Sequence, residues 1–365
     1  MGLAGMLAAA AGAALAAEGD NLPAWPATAK SSVPPTTGKT FQTDPGVAGN
    51  GSLTLMGPYK RQVEQAGLIG KATAGKLSEE KVYDSKKVYE GYHFRYSIYV
   101  PAAYQKGKPA AFMVLLDGGM YWHPQASEFH APTVIDNLIA SGEMPVTIVL
   151  FVAPGGPDPT GKKVDDKYRS DEYDTVSDRF GKFLLEEIVP DVIQKDYDVV
   201  DDPNGWGIGG HSSGGSAAFT VGWFFPDRFR KIHTNNGSFT KLAIDKGGKA
   251  IAADSYPDMI QKEAAKPLRV TLESGTRDIK NSPHGDWPTA NIKMAEALAA
   301  KGVPFRFCWG EGYHYRNGAP AGENMGPDQA AADFPNAMRW LWRGYKLPYY
   351  ADAVVQPATQ PDAAK

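Results

Sequence analysis

The sequence predicts an α/β protein in which helices cover both faces of a mostly parallel central sheet that has an antiparallel N-terminal edge. Three observations lead to this class. Uninterrupted apolar runs at residues 110–116 and 146–152 are typical of strands buried on both faces. Segments with helical periodicity alternate with such runs along the chain, as in parallel sheets whose strands are joined by helices. Residues 92–100 instead alternate apolar and polar side chains up to Pro101, which indicates an edge strand.

The composition is that of a globular protein and argues against some partners. Of the 365 residues, 42% are hydrophobic and 22% are charged, and the formal net charge is -3 without a long block of like charge. Because nucleic acids and anionic membranes attract basic surfaces, neither is an expected partner. The single cysteine, Cys308, excludes an internal disulfide and a metal site built from several cysteines.

Composition also divides the chain into four parts. Residues 1–17 are almost wholly Ala, Gly, Leu and Met and end in a small-x-small pattern, which predicts a signal peptide and a periplasmic or secreted protein. Once this segment is removed, no stable membrane insertion is expected. Residues 18–77 are rich in Pro, Gly and Thr and predict an N-terminal arm. Residues 78–348 are expected to form one domain, and residues 349–365 a disordered tail.

Apolar periodicity predicts the elements of that domain in chain order. A hairpin of residues 81–83 and 92–100 precedes the apolar runs. A helix at residues 177–192 would turn Phe183 and Ile188 toward the sheet, and later helices repeat that spacing. The remaining predicted strands comprise residues 206–209, 231–235, 268–273 and 304–309, and the remaining predicted helices comprise residues 133–141, 290–300, 331–343 and a segment that Pro226 ends.

One junction between a strand and a helix carries a functional signal. The apolar strand from Trp206 runs into the pattern G-x-S-x-G at residues 210–214, and an apolar helix follows. On such a sharp turn a serine projects its hydroxyl above the sheet, while the flanking glycines let strand and helix approach closely. The pattern therefore predicts Ser212 as a nucleophile.

A serine hydroxyl needs a base to activate it and an acid to orient that base. In a strand–elbow–helix setting the chain order is serine, acid, histidine, which leaves His284 and His314 as candidates. His314 follows the last predicted strand, at the edge where the elbow lies, and is the predicted base. His284 stands in a polar loop only six positions after Asp278.

The acid is expected in the turn that follows the strand at residues 268–273. Asp278 lies in that turn and is the predicted acid, while Asp286 and Glu273 remain alternatives. Two backbone amides should stabilise the oxyanion of a tetrahedral intermediate. One is the amide of Ser213, and the second belongs to Gly119 or Met120.

Five sequence blocks resemble the enterochelin esterase-like and feruloyl esterase branch of the putative esterase family over about residues 80–345. They are Leu-Leu-Asp-Gly at 115–118, Arg-x-x-Glu-Tyr at 169–173, Phe-Leu-Leu-Glu-Glu-Ile-x-Pro at 183–190, the glycine-rich block at 209–215 and Gly-Glu-Gly-Tyr-His at 310–314. The resemblance implies an α/β-hydrolase fold and an exported ester hydrolase that needs neither metal nor other cofactor. It places the nucleophile, base and acid on Ser212, His314 and Asp278. The ending Tyr-His-Tyr-Arg at 313–316 differs from the Gly-Gly-His-Asp-Trp of many siderophore esterases.

Residues on the same loops are the predicted substrate contacts. They could stack on an aromatic acyl or sugar ring, with packing in the core as the alternative; they are Tyr121, Trp122, Trp287 and Tyr313, together with His211 beside the nucleophile. The predicted function is an exported serine carboxylester hydrolase acting on small-molecule or polysaccharide-linked esters of feruloyl, acetyl or siderophore type. An acyltransferase of the same fold and a non-catalytic carbohydrate-binding scaffold are the alternatives.

Overall fold

In the computed structural model, residues 51–55, 62–123, 129–242, 251–310, 312 and 329–353 are described. A ten-stranded sheet runs through this part of the chain. Its strands are β1 (Gly51–Leu55), β2 (Lys76–Leu77), β3 (Lys81–Asp84), β4 (His93–Val100), β5 (Ala111–Leu116), β6 (Thr147–Val152), β7 (Trp206–His211), β8 (Lys231–Asn235), β9 (Arg269–Gly275) and β12 (Phe305–Gly310). A separate small hairpin consists of β10 (Lys280–Asn281) and β11 (Gly285–Asp286).

Helices connect most of these strands. In chain order they are α1 (Val63–Ala66), α2 (Gly119–Trp122), α3 (Ala131–Ala140), α4 (Asp166–Tyr173), α5 (Arg179–Phe183), α6 (Ser213–Phe224), α7 (Tyr256–Lys262), α8 (Trp287–Lys301) and α9 (Gln329–Trp342). Short 3-10 turns occur at Pro203–Gly205, Ala253–Ser255 and Pro348–Ala353. The helix predicted at 177–192 corresponds to α5 and two wider π-helical segments that continue it. These segments are Leu184–Ile188 and Pro190–Gln194.

The strand order is β1-β12-β9-β8-β7-β5-β6-β4-β2, and β3 pairs with β4. From β1 to β6 all neighbours are parallel, whereas β4 is antiparallel to β6, β2 and β3. The α/β class, the mostly parallel sheet and the antiparallel edge are thereby confirmed. Since parallel strands end at one edge, the loops after β5, β7, β8, β9 and β12 converge there.

The core lies where the sequence has its longest apolar runs. Every residue of β5, β6 and β7 is buried, as expected of strands covered on both faces. Glu187 is buried and accepts hydrogen bonds from the amides of Lys86 and Val88, each at 2.7 Å. Within the described residues, no helix is long and apolar enough to cross a membrane.

The N-terminal arm predicted at residues 18–77 is corrected at its C-terminal part. β1 adds to the sheet beside β12, where Leu53 is only 1% exposed. Further along, the Gln65 side chain donates to the carbonyl of Ala331 at 2.8 Å, so α1 is joined to α9. The arm's composition misleads here because the apolar partners of β1 come from the other end of the chain. The predicted signal peptide, residues 1–17, lies outside the described residues.

The predicted tail also begins too early. Tyr350, inside the range 349–365, is 6% exposed, and its hydroxyl donates to the carbonyl of Lys108 at 2.8 Å. The described part of the domain therefore extends beyond both predicted boundaries, from residue 51 to residue 353.

Three cations hold α9 on the sheet. Arg306 and Asp333 form a bidentate pair, with both N–O distances 2.5 Å, and their side chains are 0% and 4% exposed. At the other end of the helix, Arg269 donates to the carbonyl of Trp340 at 2.9 Å and Lys231 to that of Leu341 at 3.1 Å. Arg269 and Lys231 thus satisfy two of the last carbonyls of the helix.

Candidate active site

Ser212 occupies a strained turn between β7 and α6. Its backbone angles are φ 60° and ψ -130°, a conformation that residues with a side chain rarely adopt. A Cβ added to Gly210 would collide with the backbone of Gly214, and one added to Gly214 would lie 2.8 Å from the Asp117 carboxylate. Both glycines are therefore required by the close approach of strand, helix and neighbouring loop. This is the elbow geometry that the G-x-S-x-G pattern predicts.

The loop after β8 fixes the backbone of that turn. The Ser212 amide donates to the carbonyl of Asn235 at 2.9 Å, and the Ser238 amide donates to the carbonyl of Ser212 at 3.2 Å. The Asn235 side chain donates to the Tyr121 hydroxyl in α2 at 3.3 Å. Asn235 thus contacts both the turn that carries Ser212 and the loop that follows β5.

The loop after β5 turns sharply at Asp117, whose φ is 55°. The amide of Met120 donates to the carbonyl of Asp117 at 2.9 Å. In contrast, no acceptor within the described part of the chain receives a hydrogen bond from the amide of Gly119 or Ser213. Of the two amides that the sequence left open, that of Met120 is engaged and that of Gly119 is available.

Asp117 connects this loop to α4. Its Oδ2 atom accepts from Nη2 of Arg169 at 2.8 Å, and their side chains are 19% and 27% exposed. The two acidic residues nearest to Arg169 in sequence have other partners. Asp171 pairs with Arg179, and Glu172 accepts from the Gly155 amide at 3.0 Å.

Among the candidate acids, Asp278 lies in the turn after β9, where the sequence predicts it. It follows β9 and is 5% exposed, and its two carboxylate oxygens accept from the Ser274 hydroxyl at 2.7 Å and the Ile279 amide at 2.8 Å. Glu273 lies within β9, opposite Asn235 in the neighbouring strand.

Asp286 has a structural task instead. It caps α8 by accepting from the Thr289 amide at 3.0 Å, and it pairs with Lys280 at 2.7 Å. Partial burial opposes ionisation of Asp286, yet hydrogen bonds from Lys280 and Thr289 lower the pKa of its carboxyl. These contacts direct the carboxylate to the helix and the small hairpin.

His314 and Tyr313 lie outside the described residues, but Gly312 directly precedes them. Gly312 has φ 57°, and a Cβ there would collide with the backbone of Gly275 at the end of β9. The chain that leads to the predicted base therefore begins against the strand that precedes Asp278.

The predicted substrate contacts are mostly buried. Tyr121 is 0% exposed and packs against the rings of Phe129 and Phe334, and Trp287 is 2% exposed with its indole donating to the carbonyl of His284 at 3.0 Å. For both, core packing was the alternative, and the structure favours it. His211 is 3% exposed, and Trp122 is half-buried.

Two residues beside the site escaped the sequence interpretation. Met120, which the sequence analysis considered only for its amide, is 38% exposed and lies next to Gly119. Asp174 is buried beside the elbow, where burial raises the pKa of its carboxyl against hydrogen bonds from Ser213 and Ser238. Asp174 directly follows the block of family resemblance at residues 169–173, and this position is the sequence signal that points to it.

His233 is a buried histidine within β8, and the sequence analysis did not select it as a base. Its ring nitrogens contact the Thr271 hydroxyl at 2.7 Å and the Asn235 amide at 3.0 Å. Burial, and then the charge of Arg306, lower its pKa to about 3, so the imidazole is neutral. Nowhere in the described ranges do three or more His, Cys, Asp or Glu side chains group as metal ligands would.

A family model described as "Putative esterase" matches residues 90–316. The enterobactin esterase of Shigella flexneri, in the presence of 2,3-dihydroxy-N-benzoylglycine, has a similar structure with 18% sequence identity, a TM-score of 0.53 and coverage of 78% of this chain and 61% of that one. The ferric enterobactin esterase of Salmonella typhimurium shares 18% sequence identity with a TM-score of 0.56, and the match covers 78% of this chain and 62% of that one. The ferulic acid esterase of Anaeromyces mucronatus shares 16% identity with a TM-score of 0.54, and the match covers 78% of this chain and 96% of that one.

At these identities the likeness establishes a shared fold, and it confirms the α/β-hydrolase prediction. The chain spans about three fifths of the length of the two enterobactin esterases, which are 61% and 62% covered. No curated protein matches the sequence.

Proposed function

We propose that the chain, which belongs to the Putative esterase family, is a carboxylic ester hydrolase that cleaves esters through an acyl-enzyme formed on Ser212. The observation that carries the proposal is the strained turn at Ser212, with φ 60°, beside two amides that have no acceptor among the described residues. A serine held in this way offers its hydroxyl to a carbonyl carbon, while the amides receive the developing oxyanion.

The chemistry proceeds in two stages. His314 takes the proton of the Ser212 hydroxyl as its oxygen attacks the ester carbonyl, and the amides of Ser213 and Gly119 stabilise the tetrahedral oxyanion. The protonated imidazole then gives its proton to the leaving alcohol. Water attacks the acyl-enzyme by the same route and releases the acid. Asp278 orients the imidazole and stabilises its charged form.

Substitution of Ser212 tests the nucleophile. We expect Ser212→Ala to lower kcat for p-nitrophenyl acetate by about 10⁴-fold or more and to abolish labelling by a fluorophosphonate probe. Ser213→Ala is the matched control, because it keeps the backbone amide and should retain activity within about tenfold. Full activity of Ser212→Ala would contradict the proposal.

A second pair of variants tests the acid. Asp278→Asn should lower kcat by about 10²- to 10⁴-fold, since it removes the charge that stabilises the imidazolium. Asp286→Asn should lose less than about tenfold, because Asp286 caps α8 and pairs with Lys280. The reverse order would transfer the role of the acid to Asp286.

For the substrate we propose an aryl ester, of the feruloyl or the catechol-containing siderophore type. Support comes from the half-buried Trp122 and the exposed Met120 beside the available Gly119 amide, and from the enterobactin and ferulic acid esterases that share the fold. A panel of methyl ferulate, p-nitrophenyl acetate and a catecholate trilactone, with Ser212→Ala as blank, ranks these classes by kcat/KM. Preference for the acetyl ester would contradict the aryl assignment.

We further propose that the chain is exported, on the strength of the apolar segment at residues 1–17. Expression with the native N-terminus followed by mass spectrometry should find a mature protein that begins just after Ala17. A chain that retains residues 1–17 in the cytoplasmic fraction would contradict export.

A further inference from the structure

Two buried amide side chains hold Gly312, two residues before the predicted base. Nδ2 of Asn236 donates to the Gly312 carbonyl at 3.1 Å, and the Gly312 amide donates to Oε1 of Gln329 at 2.9 Å. Gln329 in turn donates to the carbonyls of Ser274 at 3.1 Å and Cys308 at 3.3 Å. Asn236 and Gln329 are 0% and 1% exposed. Both polar groups of the Gly312 backbone are thus bound by groups shielded from water.

Asn236 is also joined directly to the nucleophile turn. Its preceding residue, Asn235, accepts the Ser212 amide at 2.9 Å, and the Asn236 amide donates to the Glu273 carbonyl in β9 at 2.8 Å. Adjacent residues therefore contact the Ser212 turn and the chain that leads to His314. One dipeptide therefore links those two loops.

Asn236 departs from what stability alone would select. Its φ is 44°, in the left-handed region. Its Oδ1 atom is buried, and no donor within the described residues reaches it. Polar atoms left in this way are uncommon in folded proteins and often mark functional positions.

We propose that Asn236 is a positioning residue that sets the location of the general base by fixing Gly312. The inference rests on the proposed function, because it takes His314 as that base. Two residues of chain span at most about 7 Å, so the position of Gly312 limits where residue 314 can lie. Gln329 holds the same residue from α9, and Asn236 is the member that links it to the Ser212 turn.

The test compares two isosteric substitutions, Asn236→Asp and Asn291→Asp. Asn291 is the matched control, because it too is 0% exposed and its amide donates to the adjacent Gly237 at 2.9 Å, but it does not contact Gly312. We expect Asn236→Asp to lower kcat for p-nitrophenyl acetate and the rate of fluorophosphonate labelling by about 10²-fold, with KM within about threefold of the native value. Asn291→Asp should keep kcat within about fivefold.

Asn236→Gly is the second variant, since glycine accepts φ 44° and introduces no charge. It should lower kcat by about 30-fold while the circular dichroism spectrum stays native. Equal losses in Asn236→Asp and Asn291→Asp, or native kcat in a folded Asn236→Gly, would overturn the positioning role. Full activity of Ser212→Ala would instead overturn the proposed function, so the two failures are distinguishable.

Discussion

The carboxylate of Asp117 and the guanidinium of Arg169 meet at 2.8 Å, which joins the loop after β5 to α4. The same Asp117 oxygen lies where a Cβ on Gly214 would reach it at 2.8 Å. One carboxylate therefore contacts both the start of α6 and the residue that pairs with it from α4. The available amide of Gly119 follows two residues later in the same loop.

Loss of the Arg169 charge should affect catalysis more than stability. We expect Arg169→Gln to lower kcat/KM by about tenfold, because the loop that carries Gly119 loses its ion pair with α4. The free energy of unfolding should change by only about 1 kcal/mol, as the pair is partly exposed.

Lys182→Gln serves as the control for that measurement. It removes a pair of similar length, 2.7 Å, to Asp178 on an exposed part of the surface. Its kcat/KM should stay native within about twofold. Equal effects of the two variants would show that Arg169 acts through general electrostatics.

The two elbow glycines should respond differently to alanine. In Gly210→Ala the new methyl collides with backbone atoms of Gly214, which cannot move aside, so the melting temperature should fall by about 10 °C or more. In Gly214→Ala the methyl meets only the movable Asp117 carboxylate, so the fold should persist while kcat falls about tenfold. Thermal unfolding and p-nitrophenyl acetate kinetics separate the two, and equal stability of both variants would contradict the steric argument.

Lys231 should make stability depend on pH. Burial, and then the nearby charge of Arg269, lower its pKa to about 7, from 10.5 for the unmodified side chain. Between those values the unfolded chain holds a proton that the folded chain has lost, so stability rises with pH through this window. Below pH 7 the folded state carries the full cost of a buried ammonium group.

Lys231→Met removes this dependence. The gain in the free energy of unfolding of the variant over the native chain should be largest at pH 6 and should disappear by about pH 10. Urea unfolding at pH 6, 8 and 10 checks the trend. Arg269, whose pKa burial lowers to about 9, adds a rise in stability at the alkaline end in both proteins. A difference independent of pH would contradict the prediction.

The buried pair of Arg306 and Asp333 should show strong coupling. Arg306→Met or Asp333→Leu alone leaves one charge in the core, and each should reduce the free energy of unfolding by about 3–5 kcal/mol. The double variant should lose less than either single one, since no charge remains. Urea titration of the four proteins measures the coupling, and additive losses would contradict it.

The sequence was sufficient for elements whose burial is local. The apolar runs of β5 and β6 predicted those strands to within one residue, and the elbow pattern predicted the turn at Ser212. The position of Asp278 after β9 followed from the strand and its turn.

Features that depend on distant partners did not follow from the sequence. β1 is short and polar in composition, and only its pairing with β12 makes it a strand. The pair of Asp117 and Arg169 joins residues 52 positions apart, and only the fold brings α4 to the loop after β5. Tyr121 looked like a loop aromatic but is directed into the core by the turn of α2. The contact of Asn236 with Gly312 joins two loops that are 76 positions apart, and no pattern in the sequence predicts it.

The pairing of β1 with β12 also constrains when the protein can finish folding. Gly51 lies opposite Arg306, and among the described strands β1 pairs only with β12, so the first of these strands to leave the ribosome pairs with the last strand of the sheet. During synthesis its apolar Leu53 stays without that neighbour until nearly the whole domain has emerged. A nascent chain stalled before residue 305 should therefore be open to proteolysis at this segment, which becomes protected only when β12 is complete.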